Sequence, residues 1–138
     1  MLTFSTVNDI AGYIRANSAP DETLTGASIF APLVALQAGR RLAADEADTN
    51  SKPFSLGILN IDTFFEKCCS DRIRYIVSAE RSLFDNEFMA KNPVVKKYFT
   101  RDREFIDPQL AHFRDTRITL YRRNDITGLP DGKVCLAD

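Results

Sequence analysis

The stretch Glu22–Asn50, ETLTGASIFAPLVALQAGRRLAADEADTN, decides the fold. Glu22 to Thr25 reads as a short strand with Leu24 turned inward. Gly26-Ala27-Ser28 follows as a tight turn. Ile29 to Gly39 then reads as a helix. Ser28 is placed as its N-cap, and Pro32 falls in the first turn, where a missing N–H costs little. Leu33, Leu36 and Gln37 lie on or near one face. Gly39 sits where a left-handed C-cap belongs. Arg41 to Ala44 reads as a second strand, short and buried. Two strand ends are therefore expected to carry polar turns, at Gly26-Ala27-Ser28 and Asp48-Thr49-Asn50. In open α/β sheets those positions face ligands.

Working outward, Val7, Ile10, Ala11 and Ile14 fall at i, i+3, i+4 and i+7, the apolar face of a first helix. Thr6 with Asp9 reads as its capping box, and Asn17, Ser18 and Pro20 end it. Downstream, Asn60 caps a helix in which Ile61, Phe64, Phe65 and Cys68 repeat the same spacing. Ile73 to Val77 is the best strand pattern in the chain. Helix, strand, helix, strand, helix, strand is the order of parallel strands joined by crossover helices. Leu83, Phe84, Phe88 and Met89 are then available for packing. Asn92-Pro93 opens a short helix through Phe99. Arg103 to Ile106 reads as a strand, and Arg117 to Arg122 alternates as a last one. Residues 124–138 carry no periodicity and read as a flexible C-terminal tail.

The expected architecture is thus a single α/β domain over residues 5–123. It is a three-layer αβα domain of Rossmann-like topology, with a mostly parallel sheet and an antiparallel last strand at or near an edge. The strand from Glu22 is expected in the middle of the three parallel ones. Ile10, Ile14, Leu33, Leu36, Phe64, Phe65, Tyr75, Ile76 and Val77 are expected to be buried together.

A chain of 138 residues is long enough for one such core. With 18 basic and 19 acidic residues its formal charge is −1, so there is no electrostatic case for nucleic acid. The longest apolar run contains Pro32 and Gln37 and is too short to span a bilayer. The N-terminus lacks the basic-then-apolar pattern of a signal peptide, so the chain reads as soluble. Three cysteines, two of them adjacent, give no complete disulfide framework. Cys68 reads as a small core residue and Cys69 as a helix-edge one. The single histidine, His112, has no partner at metal spacing, so no metal site or cofactor is expected.

No catalytic signature is present: no GxSxG, HExxH, GxxxxGK or GxGxxG. Candidate ligand-binding residues are Ser28, Asp48, Thr49, Asn50, Arg40 and Arg41. Asp48-Thr49-Asn50 is a run of the kind that usually fixes its own loop, and it can also offer donors and acceptors to a sugar. Arg40 and Arg41 could hold a phosphate, and the plainer reading puts them at a helix end, where cations are favoured. Asp45, Glu46 and Asp48 have the chemistry of a metal or acid–base group, and the plainer reading is a polar surface loop.

The strings APDETLTGAS, PLVALQAGRRLAADEADTN, IRYIVSAE and ITLYRR together resemble the soluble C-terminal domain of polytopic membrane glycosyltransferases of the GT-C class, the dolichyl-phosphate-mannose mannosyltransferase-like enzymes. The similarity spans roughly residues 5–123, from the YIRAN helix through ALQAGRR and its aspartate-rich DTN to ITLYRR. It implies an extracytoplasmic (periplasmic) domain, facing a reaction that uses a lipid-linked sugar. It also implies the transmembrane part of the parent enzyme as partner, with the lipid-linked sugar or acceptor as ligand. The family's catalytic acids lie between membrane helices that this chain lacks, so the resemblance implies a domain that is non-catalytic in isolation. The alternative is a stand-alone small α/β protein that binds a ligand or partner, cytoplasmic if it is not an excised domain.

Overall fold

The structure is a computed structural model that describes residues 4–28, 30–45, 56–57, 60–107 and 117–124. Asp48, Thr49 and Asn50, Glu46, His112 and the expected tail beyond Asn124 lie outside the described residues.

Helix α1, Phe4–Ala16, opens the chain. It begins earlier than Thr6, so Thr6 is not a cap. Its buried hydroxyl instead donates to Asp107 Oδ2 at 3.0 Å. Strand β1 is Thr23–Gly26 and helix α2 is Ala31–Ala38. Strand β2 is only Arg41–Leu42, followed by a single 3₁₀ turn, Ala43–Asp45, in which Ala44 takes φ 58°. The expected buried strand through Ala44 is therefore two residues long, with Arg41 exposed. Helix α3 is Ile61–Ser70 and strand β3 is Ile73–Ala79. Helices α4, Asn86–Lys91, and α5, Pro93–Tyr98, precede strands β4, Phe99–Ile106, and β5, Arg117–Arg123.

Several boundaries follow from local chemistry. Asn60 Oδ1 accepts from the N–H groups of Asp62 and Thr63, at 2.9 and 3.1 Å, and starts α3. Asn92 Oδ1 does the same for Val94 and Val95 at 3.0 and 3.2 Å, with Pro93 at the first turn of α5. Gly39 closes α2 at φ 66°, the left-handed cap expected of it. The start of α2 differs from expectation. Its N-cap is Phe30, no side chain caps it, and Ser28 lies outside the helix.

The five strands form one mixed sheet in the order β2-β1-β3-β5-β4. β1 is parallel to both β2 and β3, which puts it in the middle of the three, as the sequence predicts. β5 is antiparallel to β3 and to β4, and it lies one strand in from the edge. β4 starts at Phe99, four residues before the expected strand, so Phe99 belongs to the sheet and not to α5.

Two apolar clusters use alternate residues of the sheet, as the two-residue period of a strand requires. Val7, Ile10 and Ile14 of α1 and Val34 and Ala35 of α2 pack with Leu24, Tyr75, Val77, Ile118 and Leu120. Phe64, Phe65 and Cys68 of α3, with Met89 and Val95, pack with Ile73, Ile76 and Phe84. Ile73 and Tyr75 would share a face in a regular strand. A register shift beside Arg74 sends them to opposite clusters.

The expected single core is therefore two clusters, and two of its members are misplaced. Leu33 and Leu36 are 39% and 75% exposed. Helix α2 buries Ala31, Val34, Ala35 and Ala38 instead. It is apolar nearly all round, so periodicity does not choose its inner face. The small residues bring its backbone close to α1 and β1.

Candidate functional site

The carboxyl ends of β1 and β3 are where a ligand would sit in a sheet of this kind. β1 ends in Gly26, at φ 142°, a region that L side chains rarely adopt. A Cβ there would lie 2.1 Å from the carbonyl oxygen of Val77. The close approach lets the Ala27 N–H donate to that same oxygen at 2.8 Å. The Ala27 carbonyl then accepts from Phe30 and Ala31 at 3.0 and 2.8 Å, turning the chain into α2. Ser28 is half-buried at this turn.

The neighbouring end of β3 carries polar groups that sequence reasoning missed. Tyr121 Oη donates to Asn86 Oδ1 at 3.0 Å, and Asn86 Nδ2 donates to Glu80 Oε1 at 2.9 Å. Burial raises the Tyr121 phenol; Arg101 opposes and Glu80 reinforces that rise. The phenol therefore stays neutral and acts as a donor. Ser78 Oγ donates to Phe84 O at 2.7 Å, and Ala79 N–H to the same carbonyl at 3.1 Å, which ties down the turn after β3. Arg81 in that turn has φ 64°. Glu80, Asn86 and Tyr121 come from three separate elements, and no spacing in the sequence links them.

Arg40 and Arg41 are not at this edge. Arg41 pairs with Thr23, the first residue of β1, whereas Ser28 lies beyond its last. Arg41 holds Asp71 with both guanidinium nitrogens, Nη1 to Oδ2 at 2.7 Å. Burial raises the Asp71 carboxyl, but the Arg41 hydrogen bonds and the Ala44 N–H outweigh it, and the net shift is downward. Arg40 donates to Ser18 Oγ at 3.0 Å and to the carbonyls of Ser18 and Arg15 at 3.1 and 3.3 Å. Both arginines thus tie the ends of helices, the second of the two roles their positions allow.

A second polar group lies on the α1 face. Asp102 is the extra residue where β4 slips its register against β5, between Arg101 and Arg103. The bulge aims its carboxylate at two phenols. Tyr13 and Tyr75 both donate to Asp102 Oδ2, at 3.0 and 3.1 Å. Burial and the bond to Asp102 raise both phenols, so neither ionises near neutrality. The Arg103 guanidinium stacks 4.9 Å from the Tyr13 ring centre and 5.2 Å from that of Phe105. A buried ion pair, Arg74 to Glu22 at 2.8 Å, joins the starts of β3 and β1.

Among the described residues no three His, Cys, Asp or Glu side chains converge to hold a metal ion. Cys68 is a buried free thiol whose pKa burial and the Asp71 charge push up. That is the behaviour of a core residue rather than a nucleophile. Cys69 is buried too. Compared with known protein families, curated proteins and solved structures, the chain matches none.

Proposed function

We propose that this chain is a ligand-holding α/β domain that serves a polytopic membrane glycosyltransferase using a lipid-linked sugar donor. It is non-catalytic in isolation. The two apolar clusters are read as the two inner faces of a three-layer, Rossmann-like arrangement. The observation that carries the reading is the glycine turn at the carboxyl end of β1, where Gly26 lets the chain pass against Val77 and leaves the half-buried Ser28 just beyond the strand. At the carboxyl end of the neighbouring strand β3 are a carboxylate, Glu80, and an amide, Asn86, bonded to each other. Neutral donors and one carboxylate suit sugar hydroxyls better than an anion.

The sequence strings quoted above supply the glycosyltransferase part of the reading. Titration of the labelled chain with free hexoses and polyprenyl-phosphate analogues, followed by NMR, tests it. Amide shifts at Gly26 to Ser28, Glu80 and Asn86 are expected. No shift there at millimolar ligand removes the site. A hydrophobic region encoded in frame directly upstream is expected; its absence leaves a stand-alone binding protein. Sugar transfer by the purified chain would make it an enzyme in its own right.

A further inference from the structure

Helix α2 turns its leucines the wrong way for a core. Leu33 and Leu36 are 39% and 75% exposed, one helical turn apart. Gln37 continues the same stripe within the helix, and Arg40 follows just past the left-handed Gly39 that ends it. Arg15, from the end of α1, reaches over to the same place. Its Nε donates to Ala38 O at 3.2 Å and its Nη2 to Gln37 O. Arg40 donates to Ser18 Oγ and to the carbonyls of Arg15, Ser18, Ala38 and Gly39. All of these partners are neutral. Among the described residues neither arginine meets a carboxylate, so both positive charges stand without a counter-ion. The next arginine, Arg41, differs: Asp71 neutralises it.

We infer that this face of α2 docks onto an anionic lipid surface. Two exposed leucines beside two cations that meet carbonyls but no carboxylate match the boundary between acyl chains and anionic headgroups. A second copy of the chain fits less well. A two-fold contact with its axis along α2 would bring Arg15 and Arg40 of both copies together, where like charges oppose association, and one with its axis across α2 would leave both pairs of cations at the rim with nothing anionic to meet. The inference goes beyond the candidate ligand site, which lies past the other end of β1, and it does not depend on the glycosyltransferase reading.

Co-sedimentation of the full chain with vesicles tests it. One set is equimolar phosphatidylcholine and phosphatidylglycerol, the other phosphatidylcholine alone. Binding is expected to the anionic set at low salt, to weaken as salt screens the charges, and to be much weaker on the neutral set. Leu36→Asp should abolish it without moving the denaturation midpoint, because Leu36 packs against little. Arg15→Gln should weaken it by roughly fivefold. Equal binding to both vesicle types, no binding to either, or undiminished binding by Leu36→Asp overturns the proposal. So does a concentration-dependent dimer that Leu36→Asp dissolves in a chain that ignores vesicles, since a second copy would then cover the face.

Discussion

Gly26→Ala and Gly12→Ala make the same chemical change in opposite settings, and the structure predicts opposite signs. At Gly26 the new methyl would sit 2.1 Å from the Val77 oxygen and 2.6 Å from its nitrogen, both backbone atoms. β1 and β3 are hydrogen-bonded there, so neither strand moves aside without breaking the parallel ladder. The φ of 142° adds conformational strain, which alone costs about 1–3 kcal/mol for a residue with a side chain. Strain and clash together put the loss at roughly 3 kcal/mol or more, a large part of the stability of a domain this size. Gly12 lies exposed inside α1 with nothing within 4 Å of its missing Cβ. Alanine there should stabilise by about 0.5–1 kcal/mol, from helix propensity and a less flexible unfolded chain. Urea denaturation followed by circular dichroism measures both. A loss under about 1 kcal/mol at Gly26 would show that β1 does not pass against Val77 as described. A destabilised Gly12→Ala would place that glycine outside a regular helix.

Phe65 packs against Phe84 and Phe88, with ring centres 6.3 Å away in each case, so Phe65→Ala should cost about 3–5 kcal/mol, whereas Leu36→Ala should stay within about 0.5 kcal/mol; equal losses in urea melts would contradict the assigned faces of α3 and α2. The Asp71 carboxyl is held low, so its bond to Arg41 contributes fully above the unfolded value and is lost as pH falls through the lower folded one. Asp71→Asn should therefore cost about 1 kcal/mol or less near neutrality, Arg41 being half exposed, and the difference should vanish well below about pH 4; a gap that persists in acid counts against the pair. Cys68 should resist iodoacetamide at mildly alkaline pH until the chain unfolds; rapid labelling of the native chain at Cys68 would refute its burial.

The fold was legible wherever a segment carried one unambiguous period. α1, α3 and β3 each have it, and the alternation of helix and strand led to parallel pairing with β1 between β2 and β3. Caps with a single chemical meaning were legible too, as at Asn60, Asn92 and Gly39. Helix α2 was not. With apolar residues all round it, the sequence offers two inward faces, and leucine looks the better core residue. The tertiary structure prefers alanine because α2 packs against both α1 and β1, and close packing of two backbones rewards small side chains over large ones.

The polar groups were hidden for a related reason. A strand pattern assigns side chains to faces by counting in twos, and a bulge breaks the count. One bulge, beside Arg74, moves Ile73 into the α3 cluster and leaves Arg74 against Glu22. The other makes Asp102 the extra residue of β4, and its carboxylate receives the hydroxyls of Tyr13 and Tyr75, 89 and 27 residues away. In the sequence Asp102 sits between Arg101 and Arg103 and looks like one charge in a solvated run. Only the broken register shows that it fastens α1 to the edge of the sheet. Glu80, Asn86 and Tyr121 were hidden differently, since they meet through the turn after β3 and across to β5. A polar group assembled from a turn, a helix start and a distant strand has no spacing to read, and that is the arrangement beyond the carboxyl end of β3.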